Sequence, residues 1–149
     1  MPRNPLAANG PLSSAEAAEA AFYEALQAGD AEAVMRVWSE DDEPVCIHPG
    51  GPRLVGAAAI RASFEQLLGG GALPVTPERV LRSVSMGCAV HNVVERVSLP
   101  RGAPAAFACV LTTNVYLRTP QGWRLVLHHA SPGTLDETGE LLAQSEQLH

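Results

Sequence analysis

One stretch of the chain, residues 22–64, decides the fold. It reads FYEALQAGDAEAVMRVWSEDDEPVCIHPGGPRLVGAAAIRASF. Apolar residues recur at helical spacing on both sides of Ala28-Gly29-Asp30, so two helices are expected to meet there, with Gly29 as the left-handed cap of the first and Asp30 as the N-cap of the second. A short apolar strand then ends in His48-Pro49-Gly50-Gly51, and a third helix begins at Gly56.

The sequence changes character on either side of this stretch. Upstream, Ser13-Ser14-Ala15-Glu16 predicts a capping box with Ser13 as the N-cap of the first helix. Downstream, from Val75, side chains alternate at a period of two, which predicts strands. Four long strands joined by short turns predict an antiparallel meander, and three helices followed by such a sheet predict an α+β fold with the helices on one face.

Length, charge and cysteine content limit the class of protein. A chain of 149 residues with 46% apolar residues is expected to form one globular domain. Its net charge of −6 and the lack of a Lys/Arg run disfavour nucleic acid or a membrane as partner. We expect a loose tail over 1–12, the domain over 13–132 and a polar tail over 133–149. An odd number of cysteines in apolar contexts predicts reduced, buried thiols in a cytoplasmic protein: Cys46, Cys88 and Cys109.

Four motifs in this order resemble the nuclear transport factor 2-like superfamily, in its SnoaL-like and ketosteroid isomerase-like branch. They are Ala28-Gly29-Asp30, a second helix ending at Trp38, Gly56-x-x-x-Ile60-Arg61 and the closing strand 122–132. The resemblance implies a cone-shaped fold with one pocket, in which three N-terminal helices pack on a curved, mostly antiparallel β-sheet. A homodimer formed through the sheet is also expected, because helices on one face leave the other face partly uncovered and related folds commonly pair through the sheet. The superfamily includes isomerases, cyclases, dehydratases, binding proteins and oligomerisation modules, so the fold alone does not give the reaction.

The catalytic residues of the steroid isomerases carry over only in part. Their oxyanion-holding tyrosine on the first helix corresponds to Phe22 here. Tyr23 lies one residue further, about 100° around the helix, so it is expected to face elsewhere. Their general base, an aspartate before a proline, corresponds to His48 before Pro49. A group that can move a proton is therefore retained and the oxyanion donor is not, which disfavours steroid isomerisation by the usual route.

His48 is the candidate catalytic residue, because an imidazole titrates near pH 6.5 and can act as base or acid. The alternative is a histidine at a strand end that hydrogen-bonds to the glycine loop. The side chains expected to line the pocket around it are apolar: Phe22, Trp38, Phe64 and Leu127.

The last predicted strand carries two adjacent histidines, His128 and His129, which must point to opposite faces of the sheet. We predict that His129 is the one on the pocket side and binds the ligand. The residues that share its face form the more apolar set: Trp123, Leu125, Leu127 and Ser131. A sheet histidine with a purely structural hydrogen bond is the alternative.

The register of the last hairpin decides the role of Asn114. If Pro120-Gln121 is a two-residue loop, Thr119 pairs with Gly122, and Asn114 then lies near Leu127 on the inner face as a candidate ligand-binding donor. A turn that is one residue longer or shorter reverses its face. A structural amide is the alternative here too.

These residues lead to one hypothesis and its alternatives. The hypothesis is an enzyme that binds a small hydrophobic molecule, a carbonyl or hydroxylated substrate, and isomerises, cyclises or dehydrates it with His48 as the proton-transfer group and without a cofactor. The alternatives are a non-catalytic ligand-binding protein and an oligomerisation module of the same fold. No metal site is expected, since the acidic residues 41–43 follow a helix end as a solvated turn without a convergent histidine.

Overall fold

The computed structural model describes residues 12–40 and 43–134 of the chain. In this part, three helices and six strands follow one another: α1 (Ala15–Ala28), α2 (Ala31–Val37), β1 (Val45–Ile47), β2 (Arg53–Val55), α3 (Ala57–Leu67), β3 (Val75–Ser85), β4 (Cys88–Ser98), β5 (Phe107–Thr119) and β6 (Gly122–Pro132). The strands form one sheet in the order β2-β1-β6-β5-β4-β3. Only β1 and β6 pair in parallel; the other neighbours are antiparallel. The predicted α+β fold, with three helices on a curved, mostly antiparallel sheet, is confirmed.

The helix ends follow local chemistry. Gly29 takes a left-handed conformation (φ 69°) after α1, as predicted, and its N–H bonds back to the last turn. Asp30 caps α2 by accepting a hydrogen bond from Ala33 N at 3.0 Å. The N-cap of α1 is Ser14, which accepts from Ala17 N at 3.0 Å, so the prediction of Ser13 was wrong by one residue. The Ser14 hydroxyl reaches the third helical N–H, whereas a capping box would need a Glu or Gln at that third position.

The helix α1 lies across one face of the sheet, which we call the inner face. It buries an unusually wide set of its own residues there: Ala15, Ala18, Glu19, Phe22, Tyr23, Ala25 and Leu26. Phe22 is fully buried and meets Phe64 of α3 edge to face, with ring centroids 6.1 Å apart. Trp38, at the end of α2, is also fully buried and lies beside the same Phe64 ring. These aromatic contacts hold the three helices on the inner face.

The hairpin between β5 and β6 has the predicted two-residue loop, since Thr119 pairs with Gly122. Further along, however, Tyr116 pairs with Leu125 while Val115 pairs with Leu127, so Val126 has no partner and forms a β-bulge. The extra residue reverses which side chains of β6 face inward beyond this point. Leu125 is fully buried, and after the bulge the inward residues are His128 and Ala130.

The bulge overturns three predictions about β6. His128 is 5% exposed and faces inward, whereas His129 is exposed on the opposite, outer face. Leu127 pairs with Val115 and shares the outer face with His129, so it does not face the helices either. The partner of Asn114 is His128, not Leu127, because the register shifts by one residue at Val126.

Parts of the sequence interpretation concern residues outside the described ranges. Asp41 and Asp42 of the acidic turn lie outside them, as do the tail residues 1–11 and 135–149. Among the helices that are described, none has the length and apolar character needed to cross a bilayer.

Candidate functional site

A mostly apolar cavity of about 180 Å³ lies between the inner face of the sheet and the helices α1 and α3. Nine of its lining residues are apolar: Leu26, Pro49, Phe64, Leu67, Leu73, Val75, Val97, Val110 and Ala130. The other three are titratable and come from three different elements. They are His48 after β1, Glu95 on β4 and His128 on β6. An apolar cavity with a few convergent titratable groups is the usual form of a small-molecule site.

A tight turn places His48 in this cavity. Gly51 N donates to the carbonyl of His48 at 2.8 Å, and Gly50 has φ 71°. Proline in the second position and a left-handed glycine in the third are the signature of a type II turn. The residue before a proline is held in an extended conformation, so the strand continues straight into His48 before the chain turns.

The hydrogen bonds of Ser63 fix which nitrogen of His48 carries the proton. Ser63 Oγ donates its single proton to the carbonyl of Ile60 at 2.7 Å. Its 3.0 Å contact with His48 Nε2 must therefore be a bond in which Nε2–H donates. Within the described residues, Nδ1 of His48 has no hydrogen-bond partner. Nδ1 is therefore the unprotonated nitrogen that can accept a proton.

A second set of hydrogen bonds fixes His128. Tyr23 donates its only proton to Glu95 Oε2 at 2.7 Å, so its oxygen accepts from Asn114 Nδ2 at 3.0 Å. Asn114 then presents Oδ1 to His128 Nδ1 at 2.6 Å, and that nitrogen must be the donor. The bonds run in one direction, from His128 through Asn114 and Tyr23 to Glu95. They leave Nε2 of His128 unprotonated on the ring edge away from Asn114.

Burial shifts the titration of all three cavity groups. It raises the pKa of the Glu95 carboxyl, and hydrogen bonds from Tyr23 and Thr112 oppose this rise. It lowers the pKa of His48 below 6.5. It also lowers the pKa of His128 to about 3, with smaller contributions from the charges of His48 and His129. Both imidazoles are therefore neutral near neutral pH, and each offers a lone pair rather than a charge.

Neighbouring groups remain protonated. Burial, followed by the charge of Glu95, raises the pKa of Tyr23 well above its usual range. The thiol of Cys46 lies 3.7 Å from His48 Nε2, and burial raises its pKa to about 12. Cys46 is therefore a neutral thiol rather than a thiolate nucleophile.

The structure brings some of the predicted site residues together and separates others. His48 and Phe64 line the cavity. Phe22 and Asn114 are fully buried behind it, in contact with His128. Trp38 packs on the far side of Phe64 and is not a lining residue. The remaining two, Leu127 and His129, lie on the outer face for the reason given above.

Four residues that the sequence interpretation missed complete the site: Tyr23, Ser63, Glu95 and His128. The prediction that Tyr23 faces away was wrong, because α1 buries more than one narrow stripe and both Phe22 and Tyr23 reach the inner face. Glu95 accepts the hydrogen bond from Tyr23. Of these four residues, only Glu95 could have been placed on the inner face from the sequence. The alternation along β4 puts it on the same side as Ala89, His91 and Val93, which are buried.

A larger groove of about 690 Å³ lies outside the sheet cavity, between α1, α2 and the β5–β6 turn. Four of its twelve lining residues are alanines, and of its five charged lining residues four are exposed (Glu24, Asp30, Arg36 and Glu40) and Arg124 is half-buried. Buried titratable groups are what make a cavity chemically active, so the smaller cavity is the better candidate site. Among the described residues, no three His, Cys, Asp or Glu side chains form a group that could hold a metal ion.

The sequence pattern of the SnoaL-like domain matches residues 15–134, which include all six strands, all three helices and the cavity. The chain belongs to the SnoaL-like domain family. The match confirms the prediction that the chain is a member of the nuclear transport factor 2-like superfamily, in its SnoaL-like and ketosteroid isomerase-like branch. Among proteins of curated function, none matches the chain.

Three solved structures illustrate the relationship of this SnoaL-like chain. A candidate calcium/calmodulin-dependent protein kinase type II association domain from Thiobacillus denitrificans is 37% identical, with a TM-score of 0.73 over 81% of this chain and 96% of that one. A candidate dehydratase of the NTF2-like family from Streptomyces avermitilis is 28% identical, with a TM-score of 0.71 over 81% and 95%. A candidate ketosteroid isomerase from Parabacteroides distasonis is 19% identical, with a TM-score of 0.66 over 80% and 88%, and that likeness shows the fold alone.

The shifted pKa of His128 predicts a specific pH dependence of stability. The unfolded chain takes up a proton at His128 near pH 6.5, but the folded chain does so only at about 3, so the free energy of unfolding should fall as the pH is lowered between these values. One such group contributes a slope of about 1.4 kcal/mol per pH unit. In urea unfolding measured as a function of pH, His128→Gln should lose much of this slope. The matched change His129→Gln, on the exposed neighbour, should keep it; equal slopes in all three proteins would contradict the assignment.

Proposed function

We propose that this SnoaL-like protein binds a small hydroxylated carbonyl compound in the sheet cavity and that His48 moves a proton on it. The observation that carries the proposal is the hydrogen bond between His48 Nε2 and Ser63, which assigns the ring proton to Nε2 and leaves Nδ1 unprotonated on a side chain that lines an apolar cavity. A base that burial keeps neutral is ready to accept a proton near neutral pH.

Dehydration is the reaction that these groups support best. His48 Nδ1 would take the proton from the carbon next to the carbonyl, and the electron pair of that C–H bond would form a carbon–carbon double bond as the C–O bond to a β-hydroxyl breaks. The imidazolium would return the same proton to the departing hydroxide, so water leaves and His48 is regenerated. No cofactor takes part in this balance. An NTF2-like relative that is 28% identical is named as a candidate dehydratase, which supports the same choice.

The cavity volume limits the size of the substrate. An apolar cavity of about 150 Å³ holds one benzene molecule. The present cavity, at about 180 Å³, therefore suits a single ring or a short branched chain with one or two small substituents. A four-ring steroid exceeds this volume, which agrees with the poor transfer of the steroid isomerase residues.

A non-catalytic binding protein is the second candidate. An enolate-like transition state needs a hydrogen-bond donor at its oxygen. The described residues that line the cavity carry no hydroxyl, and the proton of the nearby Tyr23 hydroxyl is already bonded to Glu95. The same pocket could therefore bind its ligand without turnover.

Turnover on a panel of small β-hydroxy ketones tests the proposal, with 3-hydroxycyclohexanone as the first member. The protein should speed the appearance of the conjugated enone, measured by ultraviolet absorbance. His48→Gln should slow it by about 100-fold or more, the usual effect of losing a general base. The rate should fall on the acid side only below pH 6.5, because His48 must be unprotonated and burial lowers its pKa.

The matched control is His129→Gln, since His129 lies exposed on the outer face and its loss should leave the rate unchanged. If the ketones stabilise the protein against heat but no enone forms, the binding protein is the correct function. If none binds, or if His48→Gln reacts like the unchanged protein, the proposal is wrong.

We also propose a homodimer formed through the outer face of the sheet. An outer patch of apolar side chains is not covered by any described helix: Leu81, Val90, Val94, Leu111, Val115 and Leu127. Leu81 is 71% exposed and Val90 38%. Cross-strand pairing arranges five of these residues in two apolar rows, Val90-Val115-Leu127 and Val94-Leu111, on either side of a row formed by Leu81, Asn92, Thr113 and His129. Apolar surface of this kind on a sheet favours association of two identical faces.

Sedimentation tests the dimer. The unchanged protein should sediment as a dimer at micromolar concentration, and Val90→Lys should make it a monomer, because it places a charge in the outer patch. Met86→Lys is the matched control, since Met86 is fully exposed at the β3–β4 turn and lies outside the patch. A monomeric unchanged protein, or a Val90→Lys variant that stays dimeric, would refute the proposed interface.

A further inference from the structure

We infer that the cavity selects a ligand that carries hydrogen-bond donors and a positive charge, namely a small primary ammonium compound with an apolar body of single-ring size. This inference rests on the proposed function, because it assigns the substrate class of the same cavity. Its basis is the direction of the hydrogen bonds around the cavity.

The three polar groups that line the cavity all act as acceptors. The proton on His48 is at Nε2 and bonded to Ser63, which leaves Nδ1 with a lone pair. The proton on His128 is at Nδ1 and bonded to Asn114, which leaves Nε2 with a lone pair. Glu95 accepts the proton of Tyr23 at one oxygen. The nine other lining residues in the described part of the chain have apolar side chains, which offer no donor.

A ligand must therefore bring the donors, and an ammonium group brings three. Burying a polar group without a partner costs free energy, so an acceptor-only ligand would lose its hydrogen bonds with water and gain none here. A hydroxyl supplies one donor and leaves the other acceptors unpaired. An ammonium that pairs with Glu95 and with Nε2 of His128 leaves the lone pair of His48 Nδ1 free for the proton transfer of the proposed function.

Charge leads to the same ligand. Among the described residues that line the cavity, only Glu95 can carry a net negative charge, both imidazoles are neutral, and none is a lysine or arginine. Two arginines on the neighbouring strands pair with carboxylates other than Glu95: Arg82 pairs with Glu19, and Arg96 pairs with Glu78. A carboxylate ligand would meet a buried like charge, whereas an ammonium would pair with it. The site should thus favour cations and reject anions.

Four probes of nearly equal shape test this inference: benzylamine, benzyl alcohol, toluene and benzoate. Binding to the unchanged protein is measured near neutral pH by calorimetry and by the shift in melting temperature. Benzylamine should bind roughly tenfold or more tightly than benzyl alcohol, as expected for a charge-assisted bond. Benzyl alcohol should bind more tightly than toluene, and benzoate should not bind.

A charge-removing variant checks the role of Glu95. Glu95→Gln should weaken benzylamine binding by about tenfold or more and change benzyl alcohol binding by less than about threefold. Glu65→Gln, the same change on an exposed residue of α3, should alter neither. If Glu95→Gln does not fold, the comparison of the four probes on the unchanged protein still decides the question.

The outcomes separate the two proposals. Benzoate or toluene binding as tightly as benzylamine would overturn the inference and leave the pocket of the proposed function in place. Benzylamine preference that survives Glu95→Gln would also overturn it. If none of the four probes binds, both the inference and the proposed pocket are wrong.

Discussion

The structure depends on the chain of buried hydrogen bonds that runs from His128 through Asn114 and Tyr23 to Glu95. These four residues come from β6, β5, α1 and β4, and each is at most 6% exposed. A buried polar group is costly unless it is paired, so each member holds the next in one position and one protonation state. The chain therefore joins α1 to the sheet and, at the same time, determines which atoms the cavity presents to a ligand.

A second buried contact supports the same arrangement one helical turn away. Glu19 of α1 pairs with His91 of β4, and Arg82 of β3 adds a bond to the Glu19 carboxylate at 3.1 Å. Glu19 and Tyr23 are four residues apart on the helix, as are His91 and Glu95 on the strand. Two polar contacts at this spacing fix both the position and the rotation of α1. The burial of Tyr23 next to Phe22 follows from that rotation.

Much of the fold could be read from the sequence, because local chemistry determines it. Gly29, Asp30 and Gly56 mark helix ends by conformations and caps that few residues can supply, and the change to a period of two near Val75 marks the sheet. His48 could be found because a proline and two glycines place it at a strand end. The domain limits at 13–132 and a cytoplasmic location stay predictions.

The inward face of β6 could not be predicted, since it depends on a single β-bulge at Val126. Valine carries no local signal for a bulge, and Trp123 and Leu125 before it follow the expected alternation. Only packing against α1 and β5 selects His128 over His129. The partner of Glu95 was equally hidden, because Tyr23 is 72 residues away in the sequence and neither residue type specifies the other.

The hydrogen-bond directions are the central claim, and the tautomers of the two cavity histidines test them most directly. Nitrogen chemical shifts of the ¹⁵N-histidine-labelled protein distinguish a protonated from an unprotonated ring nitrogen. The account predicts a proton on Nε2 of His48 and on Nδ1 of His128, both rings being neutral near neutral pH. A proton on Nδ1 of His48 or on Nε2 of His128 would turn an acceptor of the cavity into a donor and would contradict the account.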